Sequence, residues 1–209
     1  MNNNSNNNNT NSRRNFLSKM LVTGLSGVAL LTSTTYAKGG KTTITADTDT
    51  AAADTSTVTT TTVLTDEQKD MLFYIYQEEK VARDVYITLG NIYTNENTFA
   101  SIQLSEQRHM DSAKELCEKY GVSTEGVDED DVGSFVLPVL QELYDTCVSE
   151  GEQSLLDALK IGELIEYTDI EDLEHASVGM PEDVVSVYHN LLEGSLSHLD
   201  AFQTAIARA

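Results

Sequence analysis

The stretch Leu72-Phe73-Tyr74-Ile75-Tyr76-Gln77-Glu78-Glu79-Lys80-Val81-Ala82-Arg83-Asp84-Val85-Tyr86 contains neither Gly nor Pro, and one set of its residues recurs at steps of three and four: Leu72, Ile75, Glu79, Ala82, Tyr86 and, just beyond, Leu89. That is the period of a helix with one inward face. Thr65 followed by Gln68 has the form of a capping box, so this first helix is expected to run from Thr65 to about Tyr93. One member of the stripe is out of character. Glu79 stands where an apolar residue belongs, and an isolated buried carboxylate costs on the order of several kcal/mol or titrates to neutrality.

The same pattern repeats downstream. A second helix is expected from Asn95 or Asn97 to Gly121, with the stripe Phe99, Ile102, Glu106, His109, Ala113, Leu116. Gly121 to Gly133 is rich in acid and Gly and leads into a shorter amphipathic segment, Leu137 to Val148. The third main helix is expected from Ser154 to about Ala176, with the stripe Leu155, Leu159, Gly162, Glu166, Asp169 or Ile170, Leu173. The fourth opens at Pro181, a residue suited to a first turn, with the stripe Val184, Tyr188, Leu191, Ser195, His198, Phe202, Ala205. Pro138 and Pro181 are the chain's only prolines, and both sit at expected helix starts. The expected fold is all-α over residues 64–209. Four long helices with short links inside each pair, and a crossover of about thirty residues carrying a short extra helix, describe ferritin-like four-helix bundle topology.

Glu79, Glu106, His109, Glu166 and His198 thus all fall on inward stripes. Converging at mid-bundle, they can neutralise one another through bound metal. Carboxylate oxygens with imidazole suit iron or manganese, and a bridging carboxylate can hold two ions about 3.5 to 4 Å apart. Glu106 and His109 form a Glu-x-x-His pair on one helical face. The step from Glu79 to Glu106 is 27 residues and from Glu166 to Ser195 is 29, close enough for two hairpins related by a pseudo-twofold; from Glu163 to Ser195 it is 32. Glu163 is therefore a reserve ligand, as is Asp169.

Glu78-Glu79-Lys80-Val81-Ala82-Arg83-Asp84-Val85-Tyr86, Ser105-Glu106-Gln107-Arg108-His109-Met110, Asp157-Ala158-Leu159-Lys160-Ile161-Gly162 with Ile165-Glu166 and Asp169-Ile170, and Gly194-Ser195 with His198-Leu199 and Ala201-Phe202 resemble a bacterial and archaeal ferritin-like family described as a domain of unknown function. The resemblance covers nearly all of residues 64–209. More distantly the chain is similar to rubrerythrins and bacterioferritins, whose first helix carries a Glu ahead of an Ala-Arg pair, as Glu79 precedes Ala82-Arg83. The resemblance implies a di-iron centre held by Glu, Glu-x-x-His, Glu and Glu-x-x-His. Here Ser195 takes the place of the sixth ligand, with Asp169 one turn from Glu166 as a substitute; otherwise one ion is weakly held or the site is mononuclear. The activities implied are oxidation of Fe(II) by oxygen or peroxide, or reduction of peroxide. With no Cys-x-x-Cys, the rubredoxin-like electron-transfer module of rubrerythrins is missing, and electrons would come from an external donor.

Non-catalytic alternatives stand beside this one: a metal-binding carrier, or an envelope bundle in which inward Glu and His form a buried, metal-free salt-bridge network with Arg83 as partner and only fix helix register. Tyr76, Tyr86 and Tyr188 read as core aromatics, His175 and His189 lie outside the site, and Asp128 to Asp131 reads as a solvated loop. Cys117 and Cys147 are candidates for a disulfide pinning the crossover in an oxidising compartment.

Ahead of the domain, eight of the first twelve residues are Asn, followed by Ser12-Arg13-Arg14-Asn15-Phe16-Leu17-Ser18-Lys19 and an apolar run from Met20 to Leu31. That run is shorter than the roughly twenty residues of a membrane span. A basic start, a short apolar run and the small-residue end Thr35-Tyr36-Ala37 make residues 1–37 an expected export signal, and the paired arginines resemble the twin-arginine type. Export to the periplasm or beyond is expected, without stable membrane insertion once the signal is cleaved. Residues 38–63 carry eleven Thr and no hydrophobic period, and read as a disordered linker. Over 209 residues, 13 Lys and Arg face 34 Asp and Glu, a formal charge of -21. Such a field argues against nucleic acid and favours cations. A homodimer is compatible with the sequence.

Overall fold

The computed structural model describes residues 63–209; the expected signal and nearly all of the expected linker lie outside them. Among the described residues the chain is all-helical, with no strand and five α-helices: α1 Asp66–Ile92, α2 Asn97–Lys119, α3 Pro138–Gly151, α4 Leu155–Ala176 and α5 Glu182–Ile206. None of these helices is long and apolar enough to cross a membrane.

Local chemistry sets the ends. Thr65 caps α1 by accepting from the Gln68 amide at 3.2 Å while the Gln68 side chain accepts from the Thr65 amide at 3.0 Å. Ser154 caps α4 through the Asp157 amide. α2 begins at Asn97, one of the two expected starts, and its cap is Glu96, whose carboxylate takes the Thr98 amide at 2.9 Å. One expected boundary shifts: Pro181 is the N-cap of α5 and lies one residue outside it. Gly121, with φ of 67°, turns the chain out of α2 as a side chain would resist doing.

The short links make α1–α2 and α4–α5 two hairpins. They pack together through α1 against α4 and α2 against α5, while α3 lies on α1 and α4. Phe99, Phe202 and Tyr86 meet at ring separations of 5.1 to 6.2 Å near one end of the core. Fully burying a side chain of this size contributes about 1.5–3 kcal/mol. Gly162 makes this cluster possible, for a Cβ there would stand 2.3 Å from the Phe202 ring.

One correction concerns α1. Its expected stripe is buried, but so are Gln77, Glu78, Lys80, Arg83 and Asp84 on its other faces. The crossover covers Gln77, Lys80, Arg83 and Asp84. Lys80 Nζ pairs with Asp84 at 2.6 Å and donates to the Asp131 and Ser134 carbonyls, Arg83 grips Asp84, Gln107 and the Glu129 carbonyl, and the Gly133 amide donates to Asp84. In the run Asp128 to Asp131 the three aspartates are exposed, as expected of a solvated loop, while Glu129 is half-buried and holds Lys114 at 2.8 Å and the Tyr76 hydroxyl at 2.6 Å. A second correction concerns Cys117 and Cys147. Both are buried free thiols, and burial pushes each up to about 12, so they pin nothing covalently.

Candidate metal centre

Each of the four long helices turns a polar side chain into the middle of the core: Glu79 from α1, Glu106 and His109 from α2, Glu166 from α4, His198 from α5. The helical period puts them there, since each lies three or four residues from apolar neighbours that bury the same face. The three glutamates are within 2% of complete burial and the two imidazoles keep only a small exposed edge.

Glu106 is the centre of the arrangement. Its Oε2 lies 3.0 Å from His109 Nδ1 and its Oε1 lies 2.7 Å from His198 Nδ1. His109 Nδ1 is also 3.4 Å from Glu79, and His198 Nδ1 is 3.5 Å from Glu166. The cluster thus divides into two similar halves, each one Glu and one His, sharing Glu106. The imidazoles stack with centroids 5.3 Å apart. A ligand atom from each of Glu106, His109 and His198 lies within 4.8 Å of the other two.

These nitrogens and oxygens are close without being aligned as hydrogen bonds. Both Glu79 oxygens, Glu106 Oε1, His109 Nδ1 and His198 Nδ1 are buried and have no hydrogen-bond partner. Buried polar atoms are ordinarily satisfied, so such a group of orphans around one spot calls for an explanation. Arg83, the cation expected for a metal-free network, is bonded to Asp84 and the crossover instead. The charge balance shows in the titration. Burial, opposed by His109, pushes Glu79 up to about 7, and burial followed by the Glu106 charge pushes Glu166 to about 8. Burial acts upward on Glu106 too, but His109 and His198 outweigh it and hold it at about 2. Burial disfavours the charged rings, yet Glu106 and its neighbours hold His109 at about 11 and His198 at about 9.

The reserve positions separate. Asp169 is buried beside the cluster, and its Oδ2 accepts from Ser195 Oγ at 2.5 Å while Oδ1 has no partner; Ile170, the alternative on that stripe, is half-buried. Ser195 lies opposite Asp169 and also reaches the Leu191 carbonyl at 3.0 Å. Glu163 is not brought in: it is half-buried and bonded to Gln203 at 3.2 Å. His175 and His189 are exposed and outside the cluster. Tyr76 and Tyr188 are core residues.

Sequence reasoning missed three participants. The Tyr86 hydroxyl donates to Glu166 Oε1 at 2.5 Å, which the stripe alone does not reveal. Gly194 lies under His109, and a Cβ there would stand 2.4 Å from Nε2, so glycine sets how closely α2 approaches α5; a Gly inside an amphipathic helix was the available signal. Glu78, which lies off the expected stripe, is buried near Asp172 and Asp169, and burial followed by these two charges drives it well above the usual carboxylate range.

Residues 68–209 match the family described as "Uncharacterized protein domain (DUF2202)". The chain is similar to "Uncharacterized protein MJ0754" of Methanocaldococcus jannaschii, 44% identical over 140 residues that make up 66% of this chain and 75% of that protein. It is also similar in structure to the crystal structure of hypothetical protein MJ0754 from Methanococcus jannaschii, with a TM-score of 0.67 and 39% identity over 70% of this chain and 83% of the other.

Proposed function

The chain belongs to the DUF2202 family, and from its own residues we propose that it is an exported, ferritin-like metalloprotein whose Glu/His centre holds two iron or manganese ions and oxidises Fe(II) or reduces peroxide. One observation supports this reading above the others: five inward donors from four helices converge without a Lys or Arg among them, and both Glu79 oxygens, Glu106 Oε1, His109 Nδ1 and His198 Nδ1 lack a hydrogen-bond partner. In this reading α1, α2, α4 and α5 are the four-helix bundle, α3 rides in the crossover, residues 1–37 are a twin-arginine export signal, and residues 38–63 are a linker. Exclusion of nucleic acid follows from the acidic charge, and an external electron donor is needed for peroxide reduction.

The donor set fits such a group. Glu106, Glu79 with His109, and Glu166 with His198 would hold the group, with Asp169 beside them. Iron held there supplies one-electron chemistry, so that two Fe(II), one hydrogen peroxide and two protons give two Fe(III) and two waters. The Tyr86 hydroxyl orients Glu166 by fixing Oε1, leaving Oε2 toward His198. Ser195, short and bonded to Asp169, supplies no sixth carboxylate. The core around Phe99, Phe202 and Tyr86 excludes water from one end.

A second reading has its own support: Glu106 between two imidazoles is a buried ion-pair triad, which would make the domain a non-catalytic bundle whose polar core fixes helix register. The test is elemental analysis of protein exported in its native host. About one to two iron or manganese atoms per chain in wild type, lost in Glu106→Ala together with iron-dependent peroxide consumption, is the expected result. Metal below roughly a tenth of an atom per chain in wild type, with a melting temperature unmoved by chelator, leaves only the register reading.

A further inference from the structure

Next to the Glu/His cluster, and separate from it, runs a file of buried acids. Asp172 on α4 is half-buried and adjoins exposed Glu171 and His175. It neighbours Glu78 of α1, whose carboxyl its charge drives upward, and the Tyr74 hydroxyl lies near both. Glu78 in turn faces Asp169, and Asp169 faces Glu79, Glu166 and Glu106 of the centre. Glu78 and Asp169, each 5% exposed, line one cavity of about 10 Å³ enclosed by Val81, Ala82, Leu143, Ile165 and Thr168. That is about the room one water requires.

An acidic cluster alone says little, but here the carboxylates are orphaned. Glu78 Oε2, Asp169 Oδ1 and Asp172 Oδ2 are buried without a hydrogen-bond partner. Lys80 and Arg83, the nearest cations along α1, are bound to Asp84 and the crossover. The acids are also strung out in series: among the described residues, the only group of three whose ligand atoms lie within 4.8 Å of one another is Glu106, His109 and His198. Serial carboxylates with one water's space between them suit passage of a small divalent cation better than tight chelation, since each step replaces part of a hydration shell and none completes a cage.

We propose that Asp172, Glu78 and Asp169 form the entry path by which a divalent cation, Fe(II) or Mn(II), reaches the Glu/His centre from the surface between α1 and α4. The path rests on the metal-centre reading above, and its test separates the two. Chelator-stripped full-length protein is mixed with Mn(II), and the loss of the free-ion electron paramagnetic resonance signal gives both the rate and the final stoichiometry of uptake. Glu78→Gln combined with Asp172→Asn is expected to slow uptake at least tenfold while reaching the wild-type stoichiometry. A Glu182→Gln and Glu193→Gln pair, which removes the same charge from exposed positions, is expected to load at the wild-type rate. Glu78→Asp, which restores the charge with a shorter side chain, is expected to recover part of the rate and guards against a folding defect in the amide variant. Wild-type kinetics in the amide pair overturns the path while leaving the centre standing. Loss of stoichiometry in that pair, with helical circular dichroism intact, also overturns it by making these residues ligands. Absence of uptake by wild type overturns the centre and the path together.

Discussion

Two buried charge clusters meet on consecutive residues of α1, and they are built on opposite terms. Around Lys80, the protein supplies both signs and the hydrogen bonds: Asp84 takes Lys80, Arg83 and the Gly133 amide, while the remaining donors go to carbonyls of the crossover. Around Glu79, carboxylates outnumber imidazoles, no Lys or Arg enters, and atom after atom lacks a partner. Burial is similar in the two places, and completeness of pairing is what differs.

The largest effect expected from that contrast is on the Lys80 side. Asp84→Ala leaves two buried cations without their shared carboxylate and is expected to destabilise the domain by about 3–5 kcal/mol in urea denaturation. A loss below about 1 kcal/mol would mean the cluster is not closed as described. On the Glu79 side the expected effect has the other sign. Mn(II) at a hundred times its dissociation constant is expected to stabilise wild type by about 2.7 kcal/mol, read as a rise in melting temperature, and to do nothing for Glu106→Ala. Equal rises in both proteins would move the binding elsewhere.

Next in size is Gly194→Ala, which drives a methyl group into the His109 ring. Overpacking of this kind costs about 1–3 kcal/mol, and Mn(II) affinity is expected to fall with it. Unchanged affinity would show that His109 does not need its close approach to α5.

The smallest stability change is expected from Glu79→Gln in metal-free protein, no more than about 1 kcal/mol at neutral pH. Its value lies in the pH profile. Glu79 and Glu166 have folded values raised to about 7 and about 8, so their contribution is complete below the ordinary carboxylate range and is lost as pH rises through those values. His109 and His198, raised to about 11 and about 9, act in the same direction at higher pH. Metal-free protein is therefore expected to lose stability from pH 6 to pH 9, and metal binding, which releases protons, to strengthen over the same range. Glu79→Gln should flatten the first part of the metal-free decline; an unaltered profile would remove Glu79 from the account.

The contrast also explains what the sequence could disclose. Glu79, Glu106, His109, Glu166 and His198 were legible because each interrupts a stripe whose period is local, and the capping boxes and glycine stop were legible for the same reason. The pairing of Lys80, Arg83 and Asp84 was not. Arg83 is a candidate partner for the inward glutamates on the sequence alone, and only the crossover folding back 46 to 54 residues later shows that it and Lys80 are taken elsewhere. Glu78 was hidden by the same limit, since its burial depends on α4, and Gly194 showed only as an oddity until His109 was seen against it. The placement of Asp169 over Ile170 turned on helix phase, which a short polar-apolar pair leaves open.

The sharing of Glu106 between hairpins has a consequence for the order of folding. Contacts within α1–α2 and within α4–α5 are local in sequence and form early, whereas those between hairpins must wait for a long loop to close. Glu79, Glu106 and His109 belong to the first hairpin, Glu166 and His198 to the second. An ion bound there, as proposed, would span the seam that closes last and would act chiefly as a brake on reopening, slowing unfolding while leaving the folding rate nearly unchanged.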